Sequence, residues 1–127
     1  MANRSQDWLT QDFSNSSGIY FLDVEKIMNE LQQATRNLKK ERIDVEETIL
    51  FGSLARNDYR GASDADVAVI LTTSPSSPEE RIRELGRYFW PVSIPVDLLV
   101  YTRTEINKAF HDGNRFVKEI INYGKRI

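Results

Sequence analysis

The sequence predicts an α+β fold, a small mixed β-sheet flanked by helices. Three observations lead there. Short β-branched and aromatic runs recur at 48–51, 64–71 and 94–101. Amphipathic stripes with clear start signals lie before, between and after them. Of the 127 residues, 40% are hydrophobic, enough for one core at a length typical of single domains.

Residues 1–18 are rich in Ser, Asn, Gln and Asp and end in Ser16-Ser17-Gly18. They read as a flexible polar leader, with Trp8 and Phe13 available to dock on the body. Residues 19–127 are expected to form a single domain. The first helix opens at Asp23, a good N-cap, with Leu22 and Ile27 placed as a hydrophobic staple. Val24, Ile27, Leu31, Ala34 and Leu38 make one apolar stripe, and the polar run Lys39 to Arg42 closes it. Thr48 to Phe51 reads as a buried strand stopping at Gly52-Ser53. Asp64 to Leu71 is the second strand, after a polar stretch holding Asn57, Asp58 and Gly61.

Ser77-Pro78-Glu79-Glu80 is a strong helix start: a serine N-cap, proline in the first turn and Glu80 completing a capping box. Ile82, Leu85 and Phe89 form that helix's stripe, and Pro91 ends it. Ile94 to Tyr101 is the third strand. Thr102 and Glu105 form a second capping box, opening a helix to about Asp112, and Gly113 breaks the chain. The last helix runs from about Asn114 to Tyr123, with Gly124 as its stop.

Composition excludes several function classes. No cysteine is present, which removes disulfides, thiolate zinc sites and cysteine nucleophiles. No apolar run is long enough to span a membrane, and the N-terminal segment lacks a signal peptide's apolar stretch. A soluble cytoplasmic protein is expected. The net charge of −2 argues against a broadly basic nucleic-acid binder. Residues 101–127 nevertheless carry six Lys/Arg against three Asp/Glu. That basic tail is either a solvated helical face, the simpler reading, or a contact for RNA or an acidic partner. His111, the sole histidine, lacks a nucleophile or ligand partner and reads as structural or solvated.

The chemistry-bearing residues lie around the second and third strands. Alternation puts Asp64, Asp66, Ala68 and Ile70 on one face, and Ala65, Val67, Val69 and Leu71 on the other. Two carboxylates side by side on a mostly apolar strand repel each other, and burial raises the cost of ionising them. A cation between them resolves both problems, and oxygen ligands without His or Cys favour Mg²⁺ or Mn²⁺. Asp97 is the one charge in Ile94 to Val100. If its strand pairs beside the second, three carboxylates meet and can hold two divalent ions, the clamp used in phosphoryl displacement. An Asp-x-Asp pair alone is common at exposed strand ends; Asp97 adds weight, because an unpaired buried carboxylate is costly. Gly52 permits close backbone approach to a ligand, and Ser53 offers a hydroxyl and an N–H to phosphate, although Gly-Ser alone is more often a plain strand-to-helix turn. Neither a Walker loop nor a dinucleotide glycine motif occurs.

Spacing ties these residues together. Ten residues separate Ser53 from Asp64. The segment Phe51-Gly52-Ser53, through Ala55-Arg56, Arg60 and Ser63, to Asp64-Ala65-Asp66 resembles the signature of the DNA polymerase β-like nucleotidyltransferase superfamily, with Asp97 in Val96-Asp97-Leu98-Leu99-Val100 in the third position. The resemblance covers roughly residues 45–101 and is strongest to minimal nucleotidyltransferases. It implies a polymerase β-like fold in which Gly52 and Ser53 hold the triphosphate. Asp64 and Asp66 would bind two Mg²⁺ or Mn²⁺ ions, and Asp97 one of them while helping deprotonate the acceptor hydroxyl. Arg56 meets phosphate or stays solvated, with equal weight. Asn57 stands where many small relatives have glycine, and asparagine tolerates the left-handed backbone needed there.

The implied activity is transfer of a nucleoside monophosphate, AMP from ATP in the first instance, to a hydroxyl with release of pyrophosphate (EC 2.7.7). About 26 residues follow the third strand, too few for an acceptor domain. The minimal members are encoded beside a HEPN-domain protein, often an RNase toxin, and act as its antitoxin. A HEPN partner is therefore expected to supply the acceptor or complete the pocket, and self-association stays open. The alternative is a non-catalytic module that neutralises a HEPN protein by contact, using the basic C-terminal helices and Tyr88-Phe89-Trp90, which read as core or interface aromatics, as docking surfaces.

Overall fold

The computed structural model describes residues 23–57 and 64–127. The leader, Leu22 and the stretch from Asp58 to Ser63 lie outside the described residues.

Helix α1, Val24–Glu41, forms where its apolar stripe predicts. Asp23 caps it by accepting from the Lys26 N–H at 3.0 Å, and Ile27, Leu31, Ala34 and Leu38 are buried. Strand β1, Val45–Phe51, begins earlier than its apolar run suggests. Glu46 and Glu47 mask the start, yet both carboxylates are employed. Glu46 accepts from Arg103 at 2.8 Å, and Glu47 accepts from Arg103 at 2.5 Å and Arg126 at 2.8 Å. A four-residue helix, α2 at Gly52–Ala55, follows directly. Strand β2 is Ala65–Leu71.

Helix α3, Pro78–Leu85, carries the full Ser77/Glu80 capping box. It tightens into a 3₁₀ turn over Gly86–Phe89 rather than running on to Pro91. That turn corrects the expectation of an exposed aromatic surface. Tyr88 and Phe89 are buried, with the Tyr88 hydroxyl donating to Glu41 at 2.6 Å, and Trp90 alone of the three faces solvent. Strand β3, Val96–Thr102, leads into α4, Arg103–His111, through the Thr102/Glu105 capping box. Helix α5, Arg115–Tyr123, is capped by the Asn114 side chain. The chain then adds a two-residue strand, β4 at Lys125–Arg126, that sequence patterning misses because both residues are charged and exposed.

The sheet order is β3-β2-β1-β4. β1 runs antiparallel to β2 and β4, while β2 and β3 are parallel, which requires the α3 crossover between them. Alternation then builds two cores. Ala65, Val67, Val69 and Leu71 pack with α1 and the 3₁₀ turn. Ala68 and Ile70 pack with Ile49, Phe51, Ile106, Val117 and Ile120, under α4 and α5. Asp66 and Asp97 belong by parity to this second face, at the end where α5 begins its cover.

Candidate active site

Parallel pairing sets Asp66 beside Asp97 in register, on adjacent strands and the same face. The first expectation from sequence, that the third strand lies against the second, therefore holds. Asp64 stands just before β2 and is exposed. Among the described residues, none of these three carboxylates makes a salt bridge or side-chain hydrogen bond, whereas those of Glu41, Asp44, Glu46, Glu47 and Glu105 are all engaged. Burial, followed by the charges of Asp97 and Asp64, pushes the Asp66 carboxyl above the ordinary carboxylate range, and Arg56 opposes the shift.

Phe51 pairs with Asp66 at the last position of the β1–β2 ladder, so the next residue, Gly52, turns directly over that carboxylate. Gly52 has φ +78°, and a Cβ there would overlap Asp66 Oδ2. Both the backbone angle and the space demand glycine. Asn57 takes the left-handed conformation, φ 59°, as its side chain allows.

A cleft of about 430 Å³ gathers Gly52, Asp66, Asp97, Phe116 and Glu119. Ser53, Asp64 and Arg56 do not line it. Among the described residues no three acidic or histidine side chains converge into a ready-made metal cluster. The donor set nonetheless fits a hard divalent cation. Two register-paired carboxylates are unneutralised, a third lies two residues away along the chain, and every donor is oxygen.

Two wall residues escaped the sequence reading. Phe116 packs edge-on against Phe51, with ring centroids 5.6 Å apart. Glu119 accepts from Arg56 Nη1 at 2.8 Å across 63 residues of sequence. Arg56, expected to meet phosphate or water, thus meets a carboxylate. The only available signal was that Val117 and Ile120 are the buried positions of α5, which turns their neighbours toward the sheet end.

A mixed sheet with helices on both faces and an acidic cleft beside a Gly-Ser turn is the architecture of an α+β nucleotidyltransferase. The chain belongs to the nucleotidyltransferase domain family, whose sequence model matches residues 28–127. A relative from Methanocaldococcus jannaschii, named "Putative protein adenylyltransferase MJ0141", is 30% identical over 108 residues, covering 84% of this chain and all of that protein. A crystal structure of a "putative nucleotidyltransferase" from Sulfolobus solfataricus shares the fold, with TM-score 0.53, 22% identity, and coverage of 67% of this chain and 78% of that one. A toxin–antitoxin structure with AMP-PNP is a more distant neighbour, with TM-score 0.47, 20% identity, and coverage of 83% and 72%. Among the described residues no helix is long and apolar enough to cross a membrane.

Proposed function

We propose that this chain transfers AMP from ATP to a hydroxyl group on a partner protein. The observation that carries the reading is the fit of Gly52 over Asp66, which brings the first residue of the Gly-Ser turn into one cleft with Asp66 and Asp97. A triphosphate held at Gly52-Ser53 would have its α-phosphate near Asp66 and Asp97. Asp64, Asp66 and Asp97 would hold divalent cations, two Mg²⁺ or Mn²⁺. When bound, these neutralise the phosphate oxygens and the leaving pyrophosphate. In the reaction the acceptor oxygen bonds to the α-phosphorus, the bond from that phosphorus to the bridging oxygen breaks, and pyrophosphate departs. The acceptor proton passes to the Asp97 carboxylate or to water.

Protein as acceptor is supported by the protein adenylyltransferase name of the relative, all of whose length is matched by 84% of this chain. The resemblance to minimal nucleotidyltransferases supports a HEPN-domain protein as the partner and an antitoxin role for this chain. Incubation with α-labelled ATP, Mg²⁺ and the protein encoded by the neighbouring reading frame tests the proposal. Label on the partner that disappears with Asp66→Asn supports it. Absence of nucleotide binding in calorimetry with Mg²⁺ would sink it.

A further inference from the structure

Glu119 lines two adjoining spaces. One is the cleft with Asp66 and Asp97, and the other is a groove of about 800 Å³ lined by Arg56, Arg115, Lys118, Asn122 and Tyr123. Among the described residues, three cations border that groove against one acid. Arg115 and Lys118 form no ion pair with a described residue, and Lys118 lies 5.9 Å from the Phe110 ring centroid. Arg56 is held at the C-cap of α2, its N–H bonded to Gly52 O at 3.1 Å, so its guanidinium cannot travel far from the Gly-Ser turn. Both members of the Arg56–Glu119 pair are exposed, at 47% and 42%, and an exposed pair is weak and easily exchanged. Asp66 feels both charges, with opposite signs, consistent with the pair standing at the cleft mouth.

We propose that Glu119 is a displaceable counter-ion: it holds the Arg56 guanidinium in the resting protein and yields it to the polyphosphate of an incoming nucleotide, whose distal phosphates then lie along Arg56, Arg115 and Lys118. A guanidinium fork suits either anion, but a polyphosphate brings several charges where the carboxylate brings one. Glu119 is thus a positioning residue. It keeps Arg56 oriented and neutral overall when no nucleotide is present, and it competes with the nucleotide for the same donor. This inference rests on the nucleotidyl-transfer reading.

The sign of one substitution tests it. Glu119→Gln keeps the side chain's size and removes the competing charge. Binding of Mg-ATP and of inorganic tripolyphosphate is measured by calorimetry over a salt series, alongside KM and kcat for transfer, with thermal melts as a check on folding. The expected result is roughly two- to fivefold tighter binding and lower KM, the scale of one exposed charge interaction, with kcat little changed. The gain should shrink at high salt and be absent when Glu119→Gln is combined with Arg56→Gln. Weaker or unchanged binding in a folded Glu119→Gln variant overturns the inference, because Glu119 then only scaffolds Arg56. A gain that persists without Arg56 also overturns it, since Glu119 would then act through the field at Asp66. In both cases the wild type still binds nucleotide and the transferase reading stands. Failure of the wild type to bind Mg-ATP removes both.

Discussion

Asp66 and Asp97 are register partners across the parallel β2–β3 ladder, two carboxylates on one face with no cationic side chain bonded to either among the described residues. The arrangement costs stability. Burial and the neighbouring charges raise the Asp66 pKa, so its unfavourable contribution is absent at low pH and grows as pH rises through the folded value. Asp66→Asn is therefore expected to melt above the wild type at neutral pH, with the gap closing in acid. The same variant should lose at least about a hundredfold in transfer rate, the scale on which one charge-stabilising group acts. Mg²⁺ should raise the wild-type melting temperature and leave the variant's nearly unchanged. Calorimetric melts across pH, with and without Mg²⁺, check the two stability predictions and a transfer assay the third, and a variant that melts below the wild type at neutral pH contradicts the account.

Gly52→Ala should separate fold from chemistry. The added methyl group meets Asp66 Oδ2 and sits on a backbone at φ +78°. The left-handed conformation alone costs about 1–2 kcal/mol for an L residue. Since Asp66 is the atom in the way, relief requires that carboxylate to swing out of the cleft. The expected outcome is a folded protein by circular dichroism, about 1–2 kcal/mol less stable, with nucleotide binding and transfer both lost. Retained transfer would mean that the turn and Asp66 need not touch.

Much of this site was legible in the sequence because strand alternation is a strict rule. Once Asp66 and Asp97 are placed on strands, parity fixes their faces, and one pairing assumption brings Asp66 to Asp97, while Asp64 falls just before the strand. The capping boxes at Ser77 and Thr102 were equally readable, because their partners lie three residues apart. Long-range polar pairing left no such trace. The Glu46 and Glu47 contacts with Arg103 hid the start of β1, Glu119 read as part of a solvated basic helix, and β4 offered only Lys125 and Arg126. The 3₁₀ turn at Gly86–Phe89 likewise buries Tyr88 and Phe89 of an apparently exposed aromatic run, with Arg87 lying 4.3 Å from the Tyr88 ring centroid.

Gly124 is expected to be intolerant for a steric reason. Its φ of −71° is open to any residue, but a Cβ there would overlap the Ile120 carbonyl and Ile49 Cγ2. Ile49 and Ile120 are fully buried in the core beneath α5, and Gly124 lets the chain cross them to place Lys125 and Arg126 on the edge of β1. Gly124→Ala should cost about 1–3 kcal/mol by overpacking, read by urea denaturation. Hydrogen exchange should show the bond from Ile127 N–H to Thr48 O, 2.9 Å in the native chain, opening first. An unchanged denaturation midpoint would show that the segment after α5 shifts aside freely.

The Arg81–Glu105 pair locks α3, β3 and α4 together. The Arg81 side chain is only 5% exposed and donates to Glu105 at 2.7 and 3.0 Å, to Ser76 O at 3.0 Å and to Val100 O at 3.3 Å. Glu105→Gln keeps an acceptor for the capping box and removes the charge, so it isolates the ion pair. Leaving a buried guanidinium short of its counter-ion should cost about 1–3 kcal/mol, toward the lower end because Glu105 itself is 42% exposed. The Arg81 hydrogen bond chiefly holds the Glu105 pKa below its ordinary 4.5. A lowered carboxylate stabilises above the unfolded value and loses that contribution as pH falls through the folded one. The stability gap between wild type and Glu105→Gln should therefore be full at neutral pH and close progressively in acid below 4.5. Denaturation midpoints measured across that range decide the matter: a gap that stays constant into strong acid would place the Glu105 contribution in packing rather than charge.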